Sequence, residues 1–215
     1  MSVKTIPNSN YNIKDILDDE AFVSHLMADY MPRFFNKCRW FAGKGHIIKN
    51  FRLDHKLRII LDDGYGYILI IEVTYEAGYT ESYSVPVIFK NIELESIPKQ
   101  AYIATISCQD LQYQMIEATF DESFRNTLFM HMQHTSIVDT GEGGLEFQKG
   151  KYLDNISKED LHSELLELDQ SNTSIVYQDR YFFKLYRRLF REANPDMEMT
   201  MFLTCLLYTS PSPRD

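Results

Sequence analysis

The stretch that decides the fold lies near the end of the chain and reads, from residue 171 to residue 202, SNTSIVYQDRYFFKLYRRLFREANPDMEMTMF. Its first half contains two short runs of β-branched and aromatic residues, 173–177 and 181–186, separated by three polar residues. Such runs favour strands, and the polar residues between them favour a turn. The stretch therefore predicts a β-hairpin.

Lys184 lies in the second predicted strand, among aromatic and aliphatic neighbours. There an ammonium needs an anionic partner, unless its stem lets the charge reach water. Downstream, Asn194 suits a helix N-cap and Pro195 the first helical position, which predicts a helix carrying Glu198. Kinases of the protein-kinase type hold ATP with such a pair, because the strand lysine contacts the phosphates and the helix glutamate orients it. A hairpin lysine that reaches water is the plainer alternative.

The segment before the hairpin, residues 169–174, is polar and contains no glycine-rich loop. Its hydroxyls, amides and backbone N–H groups suit an anion. A polar turn without a ligand explains the same residues, so the residues alone leave both interpretations open.

Three ordered blocks of the sequence resemble the maltokinase family. The first combines QSNTS at 170–174, KLYRRL at 184–189 and NPDME at 194–198, and resembles the N-terminal lobe of these kinases. The second, RWFAGKG at 39–45, resembles the signature of the family's N-terminal cap, and the third is VTYEAGYTESYSVPV at 73–87. The resemblance extends over residues 26–204. It implies a structural or lobe-contacting role for the RWFAGKG block.

The resemblance implies an enzyme that transfers the γ-phosphoryl group of ATP to maltose with the help of Mg²⁺, giving maltose 1-phosphate for α-glucan and trehalose metabolism. It places the catalytic His-Gly-Asp loop and the Asp-Phe-Glu metal site in a C-terminal lobe, and neither motif occurs in these 215 residues. No catalytic residue or metal ligand is therefore assigned, and the chain alone is expected to be inactive. The ATP-facing residues it implies are Lys184 on the phosphates, Glu198 orienting Lys184, and Ser171, Asn172, Thr173 and Ser174 over the phosphates.

The expected fold class is α+β: a small helix-on-meander cap, then the mainly antiparallel N-terminal lobe of a protein-kinase-like or aminoglycoside phosphotransferase-like fold, with the C-terminal lobe missing. We assign residues 1–97 to the cap and 98–204 to the nucleotide-facing lobe. Residues 205–215 are expected to be a non-native or disordered tail, because two prolines forbid a helix and the end resembles a translated sequencing adapter.

Apolar periodicity predicts the elements within these domains. Residues 13–27 have helical spacing that Pro32 ends or bends, and 51–60, 65–75 and 82–89 are predicted strands in which Pro86 marks an edge strand or a bulge. Strands at 102–107 and 111–118, a helix at 120–134 and strands at 145–147 and 164–168 follow. Trp40 is interpreted as a core anchor that fixes the helix against the sheet.

Composition limits the function classes. The formal charge of −9 argues against nucleic acid and anionic membranes as partners. Three scattered cysteines predict reduced thiols, and the absence of a signal-peptide core or a long apolar run predicts a cytoplasmic protein.

Several alternatives remain open on the sequence. The chain is either part of a kinase or a non-catalytic docking module associated with trehalose synthase, and a kinase for another sugar or an amino alcohol is a third reading. Phe182 and Tyr186 either line the nucleotide groove or pack beneath the helix. His131 and His134 are spaced to share a metal, but no third ligand is near, which favours a structural role.

Overall fold

The computed structural model describes residues 5–9, 12–62, 64–139, 144–149, 153–166 and 171–190, with backbone only at residues 5–9, 136 and 144. Within these ranges the chain is an α+β structure of mainly antiparallel sheets, as predicted. The strands are β1 (Thr5–Ser9), β2 (Ile48–Leu61), β3 (Gly64–Tyr75), β4 (Thr80–Lys90), β5 (Tyr102–Cys108), β6 (Leu111–Glu117), β7 (Ser136–Asp139), β8 (Gly144–Phe147), β9 (Ser163–Leu166), β10 (Asn172–Tyr177), β11 (Tyr181–Tyr186) and β12 (Arg188–Leu189). The α-helices are α1 (Glu20–His25), α2 (Met31–Lys37) and α3 (Glu122–Met132).

The largest sheet has seven strands in the order β1-β5-β6-β4-β3-β2, with β12 also paired to β4. All of its pairs are antiparallel except β1 with β5. The parallel β1 was not predicted, because its sequence is short and polar. A second sheet has the order β11-β10-β9, and β7 pairs with β8.

These elements stack in four layers. The N-terminal helices cover one face of the seven-stranded sheet, where residues such as Phe35, Leu69 and Tyr83 form the largest core cluster. Helix α3 covers the other face and buries Phe124 and Leu128 against it. The opposite side of α3 packs on the three-stranded sheet. Alternate residues of β3 therefore serve two different cores, which explains its long run of buried positions.

The N-terminal helical segment differs from the prediction at Pro32. A 3-10 turn at Ile13–Asp18 leads to Asp19, whose carboxylate caps α1. A π-helical turn at Leu26–Tyr30 then joins α1 to α2, and Pro32 lies in the first turn of α2. A proline is tolerated there because the first turn needs no N–H donor, so the helical path continues through residue 37.

Pro86 lies neither on an edge strand nor at a bulge, so that prediction is wrong. β4 is internal, and its register with β3 runs without a shift from Gly66↔Ile88 to Thr74↔Thr80. On its other side β4 pairs with β12 through Ser82 and Tyr83, and with β6 only from Val87 onward. Pro86 lies between the β4 residues that pair with β12 and those that pair with β6. Neither strand needs a hydrogen bond from the backbone nitrogen at this position, so a proline is tolerated there.

The expected division between residues 97 and 98 stays a prediction, but the seven-stranded sheet extends across it. β5 and β6 lie after residue 98 and pair with each other, and β6 pairs with β4. A 3-10 turn at Ala118–Phe120 then connects this sheet directly to α3. The lobe strands predicted around Lys184 form as β10 and β11, whereas the kinase-like identity of this lobe stays a prediction.

Candidate functional site

Lys184 is located on the middle of β11, in the three-stranded sheet. It pairs with Ser174 of β10, which in turn pairs with Leu166 of β9. The alternate residues Tyr177, Tyr181 and Phe183 pack with Phe129 of α3. Because neighbours along a strand point to opposite faces, Lys184 belongs to the face turned away from α3.

The face that carries Lys184 combines polar and aromatic side chains. The Lys184 Nζ lies 5.1 Å from the centre of the Tyr186 ring, two positions along the same strand. Phe182, also on this face, is 59% exposed. The predicted helix with Glu198 lies outside the described residues, so whether Phe182 and Tyr186 line a groove or pack beneath that helix stays open.

The predicted phosphate loop is divided between a turn and a strand. Ser171 is exposed and accepts a hydrogen bond from the Asn172 amide at 3.2 Å. β10 already begins at Asn172, so Thr173 and Ser174 are strand residues and Ser174 is buried. By alternation Asn172 and Ser174 share the face of Lys184, whereas Thr173 points to the opposite face.

The Thr173 hydroxyl accepts a hydrogen bond from Arg187 Nε at 2.8 Å. Arg187 follows β11 directly, and its guanidinium lies 3.1 Å from Glu117 Oε1 at the end of β6. The two side chains are 1% and 3% exposed. A buried ion pair needs good geometry and further hydrogen bonds, because desolvating both charges is costly.

Those further hydrogen bonds are present on both partners. The carboxylate of Glu117 accepts from the backbone N–H of Thr119 at 3.2 Å and from the Thr119 hydroxyl. Arg187 also donates to Thr119 Oγ1 at 3.4 Å and to the Ser84 carbonyl at 3.5 Å. The pair is thus embedded in a complete polar network.

Trp40 completes this cluster. Its ring lies 5.1 Å from Phe35 of α2 and 5.9 Å from Tyr83 of β4, which confirms its role as an anchor between helix and sheet. The Arg187 guanidinium also lies 5.2 Å from the Trp40 ring, a cation–π distance. Trp40 therefore contacts the residue that follows β11, whereas the expected lobe-contacting role of the RWFAGKG block stays a prediction.

Arg188 makes a second ion pair with the seven-stranded sheet. Its guanidinium lies 2.8 Å from Glu81 Oε1, and Glu81 Oε2 accepts from the hydroxyls of Tyr75 and Tyr83 at 2.7 and 2.6 Å. Burial, helped by the Glu81 carboxylate, raises the pKa of both tyrosines, so they remain neutral donors. The backbone continues the contact, since the Ser84 N–H donates to the Arg187 carbonyl at 2.7 Å.

Sequence reasoning missed Arg187 and Glu117 as site residues. In the sequence each follows an apolar strand: Glu117 comes after Met115 and Ile116, and Arg187, the first of two arginines, comes after an aromatic strand. A charge at the end of a buried strand signals a partner elsewhere. The partner's identity depends on the tertiary fold and is not visible in the sequence.

A cavity of about 180 Å³ lies beside this cluster, between the seven-stranded sheet and β10. Cys38 lines it, and burial, reinforced by the Glu117 charge, raises the pKa of that thiol to about 12. Cys38 is therefore an inert thiol at neutral pH. The cavity is lined by Phe34, Lys37, Cys38, Arg39, Trp40, Gln100, Glu117, Thr119, Phe120, Leu165, Leu166, Asn172, Thr173 and Arg187.

Metal ligation finds no support in the part of the chain that the structure describes. No group of three or more His, Cys, Asp or Glu side chains is close enough to hold an ion there. His131 instead stacks on Phe147 at 4.9 Å, and burial lowers the pKa of its imidazole. A structural role explains this histidine.

The hairpin turn between β10 and β11 carries an unusual backbone. Gln178 and Asp179 both have positive φ, 55° and 51°. Gln178 adopts the left-handed conformation although it carries a Cβ atom, which disfavours positive φ. Its N–H donates to the His162 carbonyl at 3.0 Å, which ties the turn to the segment before β9.

A comparison with protein-family models matches residues 34–121 to the maltokinase N-terminal cap domain. This confirms the recognition of the maltokinase family. The matched region includes Trp40, Glu117 and the strands β2 to β6, and it ends before the strands that carry Lys184. In the described residues no helix is long and apolar enough to cross a bilayer.

Proposed function

We infer, from the maltokinase cap domain that this chain carries, that it is the ATP-facing N-terminal part of a maltokinase. The proposed reaction of the complete enzyme is transfer of the γ-phosphoryl group of ATP to maltose, giving maltose 1-phosphate. We propose that the 215 residues contribute nucleotide binding and no turnover. The sequence supports this limit, because it contains neither a His-Gly-Asp nor an Asp-Phe-Glu motif.

The observation that carries the proposal is the position of Lys184 on a sheet face that α3 leaves uncovered. The same face carries the amide of Asn172 and the exposed ring of Phe182. A cation, a hydrogen-bond donor and an apolar surface are what a nucleoside triphosphate needs from a kinase N-terminal lobe. The alternative reading, a lysine that only reaches water, predicts no affinity for polyphosphate.

The proposed roles follow from the chemistry of each group. Lys184 neutralises phosphate oxygens as a point charge, and Asn172 and Ser171 donate hydrogen bonds to them. Glu198, from the segment after β12, orients Lys184. Thr173 contributes to the site through the backbone, because its hydroxyl is bound to Arg187. Magnesium neutralises phosphate charge when bound, and its ligands are proposed to come from the C-terminal lobe.

The test is a titration of the purified chain with Mg·ATP and with inorganic tripolyphosphate, followed by calorimetry. Weak binding that Lys184→Met removes, and that Lys49→Met on the exposed part of β2 leaves unchanged, supports the proposal. Equal binding by both variants contradicts it. Release of ADP by the wild-type chain in the presence of maltose contradicts the proposed absence of turnover.

We keep a docking role beside trehalose synthase as the alternative proposal for the same chain. This alternative predicts that the chain co-elutes with purified trehalose synthase in size-exclusion chromatography and does not bind Mg·ATP. Nucleotide binding that depends on Lys184, without such co-elution, favours the kinase proposal.

A further inference from the structure

Two consecutive arginines join the end of β11 to the seven-stranded sheet. Arg187 reaches Glu117, Thr119, Ser84 and Trp40 on that sheet and its loops, and Arg188 reaches Glu81. The maltokinase role proposed above uses none of these contacts. They concern the strand that carries Lys184, because Lys184 is only three residues away from Arg187.

The Arg187 contacts restrain the position of the end of β11. The guanidinium is planar and its donors have fixed directions, so hydrogen bonds to Thr173, Thr119, Ser84 and Glu117 restrain its rotation and translation together. The Trp40 ring restrains the remaining direction, perpendicular to the plane. A lysine at this position would keep the positive charge but would lack the planar set of donors with fixed directions.

The backbone carries this restraint to Lys184. A strand rises by roughly 3.3 Å per residue, so the two Cα atoms are separated by about 10 Å of stiff, hydrogen-bonded backbone. The partner strand is held at the same point, because Arg187 Nε donates to Thr173 and Thr173 pairs with Leu185. Both strands of the hairpin are therefore fixed at one end against the seven-stranded sheet and the turn that follows it.

We propose that Arg187 is a positioning residue: through Glu117, Trp40 and Thr173 it fixes the β10–β11 hairpin against the seven-stranded sheet and thereby sets the position of Lys184. The proposal rests on the proposed nucleotide role of Lys184. A displacement of about 1 Å in a phosphate-binding group is enough to weaken its interaction with the ligand substantially.

Trp40 gives a direct optical signal for this arrangement. It is the only tryptophan of the chain, and the Arg187 guanidinium lies against its ring. Replacement of Arg187 removes a cation from the ring, so the Trp40 emission maximum and intensity change even where the chain stays folded. A general loss of stability without a change at the junction would leave the native-state emission as it is.

The first experiment measures hydrogen exchange by mass spectrometry on Arg187→Lys, Arg187→Met and Thr173→Val. We expect exchange in β10 and β11 to accelerate at least about tenfold in Arg187→Lys, while β2 and β3 keep their protection. Thr173→Val, which keeps the ion pair with Glu117, gives a smaller acceleration in the same two strands. Should Arg187→Met fail to fold, these two milder variants decide the question.

Arg180→Met is the matched control. Arg180 lies in the turn of the same hairpin, is 64% exposed and pairs with Asp154 on the surface. We expect this variant to keep wild-type exchange in β10 and β11 and wild-type Trp40 emission. Exchange in Arg187→Lys that equals that of the wild type, with unchanged Trp40 emission, overturns the positioning role.

The second experiment separates this inference from the proposed function. Mg·ATP and tripolyphosphate are titrated up to about 10 mM, a range that detects even millimolar binding. Wild-type binding that weakens at least about tenfold in Arg187→Lys supports the positioning role, and binding equal to wild type contradicts it. No binding by the wild type contradicts the proposed nucleotide function, and the exchange experiment then still decides whether Arg187 holds the hairpin.

Discussion

Arg125 of α3 holds Ser163 of β9 with two hydrogen bonds, from Nε to the hydroxyl and from a terminal nitrogen to the carbonyl, both 3.1 Å long. Its other terminal nitrogen donates to the Thr119 carbonyl at 2.8 Å, at the end of the seven-stranded sheet. Burial lowers the pKa of this arginine, and its charge is spread over three hydrogen bonds. Arg125 and Arg187 therefore contact the same residue, Thr119, from two sides.

We expect Arg125→Met to lower the free energy of unfolding by about 3 kcal/mol, because it leaves the buried carbonyls of Thr119 and Ser163 without their donors. Urea denaturation followed by circular dichroism measures the change. Arg33→Met, at an exposed position of α2, is the control and should alter stability by less than about 0.5 kcal/mol. Equal effects of the two substitutions would show that the Arg125 hydrogen bonds contribute little.

Two buried threonines allow the same substitution to be tested in opposite contexts. The Thr127 hydroxyl is buried in α3 without a hydrogen-bond partner, whereas the Thr119 hydroxyl donates to Glu117. We expect Thr127→Val to raise the free energy of unfolding by about 1 kcal/mol, because an unsatisfied polar group is removed. Thr119→Val should lower it by about 2 kcal/mol, because it leaves the Glu117 carboxylate short of a donor. Thermal unfolding of both variants measures the contrast, and destabilisation by Thr127→Val would contradict the first expectation.

The β5–β6 hairpin is closed by Gln109 and Asp110, which both have positive φ, 49° and 64°. A two-residue turn of this kind favours Asn-Gly, because a Cβ atom disfavours the left-handed conformation. We expect the double variant Gln109→Asn/Asp110→Gly to gain about 1 kcal/mol of stability, as measured by urea denaturation. Gln112→Gly, at an exposed strand position of β6, serves as the control and should lose stability, because there glycine only adds freedom to the unfolded chain.

Stability should fall at alkaline pH in a way that depends on Cys38. Its folded-state pKa is raised to about 12, so the unfolded chain releases the thiol proton first as pH rises. The stabilisation that the protonated thiol gives the folded state is complete below about pH 8.5, the ordinary thiol pKa. It is lost as the pH approaches the pKa of the thiol in the folded state. Between these two pKa values, this one group lowers the free energy of unfolding by up to about 1.4 kcal/mol per pH unit.

The comparison of wild type with Cys38→Ala isolates the thiol from the buried tyrosines, which titrate in both proteins. Urea unfolding between about pH 8 and about pH 10 should show a shallower decline for the variant. Parallel curves for the two proteins would mean that Cys38 does not titrate differently in the folded state. Slow reaction of the native protein with a thiol reagent at this position is the accompanying expectation.

The strands of the cap and of the β10–β11 hairpin could be predicted because runs of β-branched and aromatic residues are separated by short polar turns. The face assignment of Lys184 follows from alternation, since Phe182 and Tyr186 are two positions away on either side. Alternation does not predict which face of the hairpin packs against another layer of the structure. The packing of Tyr177 and Phe183 on Phe129 depends on α3, which is about fifty residues away in sequence.

The charges at the junction were beyond sequence reasoning for a related reason. Glu117 and Arg187 are far apart in the chain, and their pairing results from the way β12 joins β4 beside β6. Local pattern identifies each residue only as a charge beside an apolar strand. The strand predicted at 173–177 forms and begins one residue earlier, at Asn172, so Thr173 and Ser174 of the predicted phosphate loop are strand residues, and their contact with phosphate stays a prediction.

The pairing of β12 with β4 has a consequence for biosynthesis. The edge of β4 at Ser82 and Tyr83 stays unpaired on this side until Arg188 and Leu189 have been synthesised. These two residues leave the ribosome about a hundred residues later, which takes roughly 5–20 s at usual elongation rates. During that interval a nascent chain exposes an open strand edge next to a hydrophobic centre, a template for pairing with another nascent chain. Pairing of β12 covers this edge only late in synthesis. Misassembly of this protein would therefore begin between nascent chains on the same polysome.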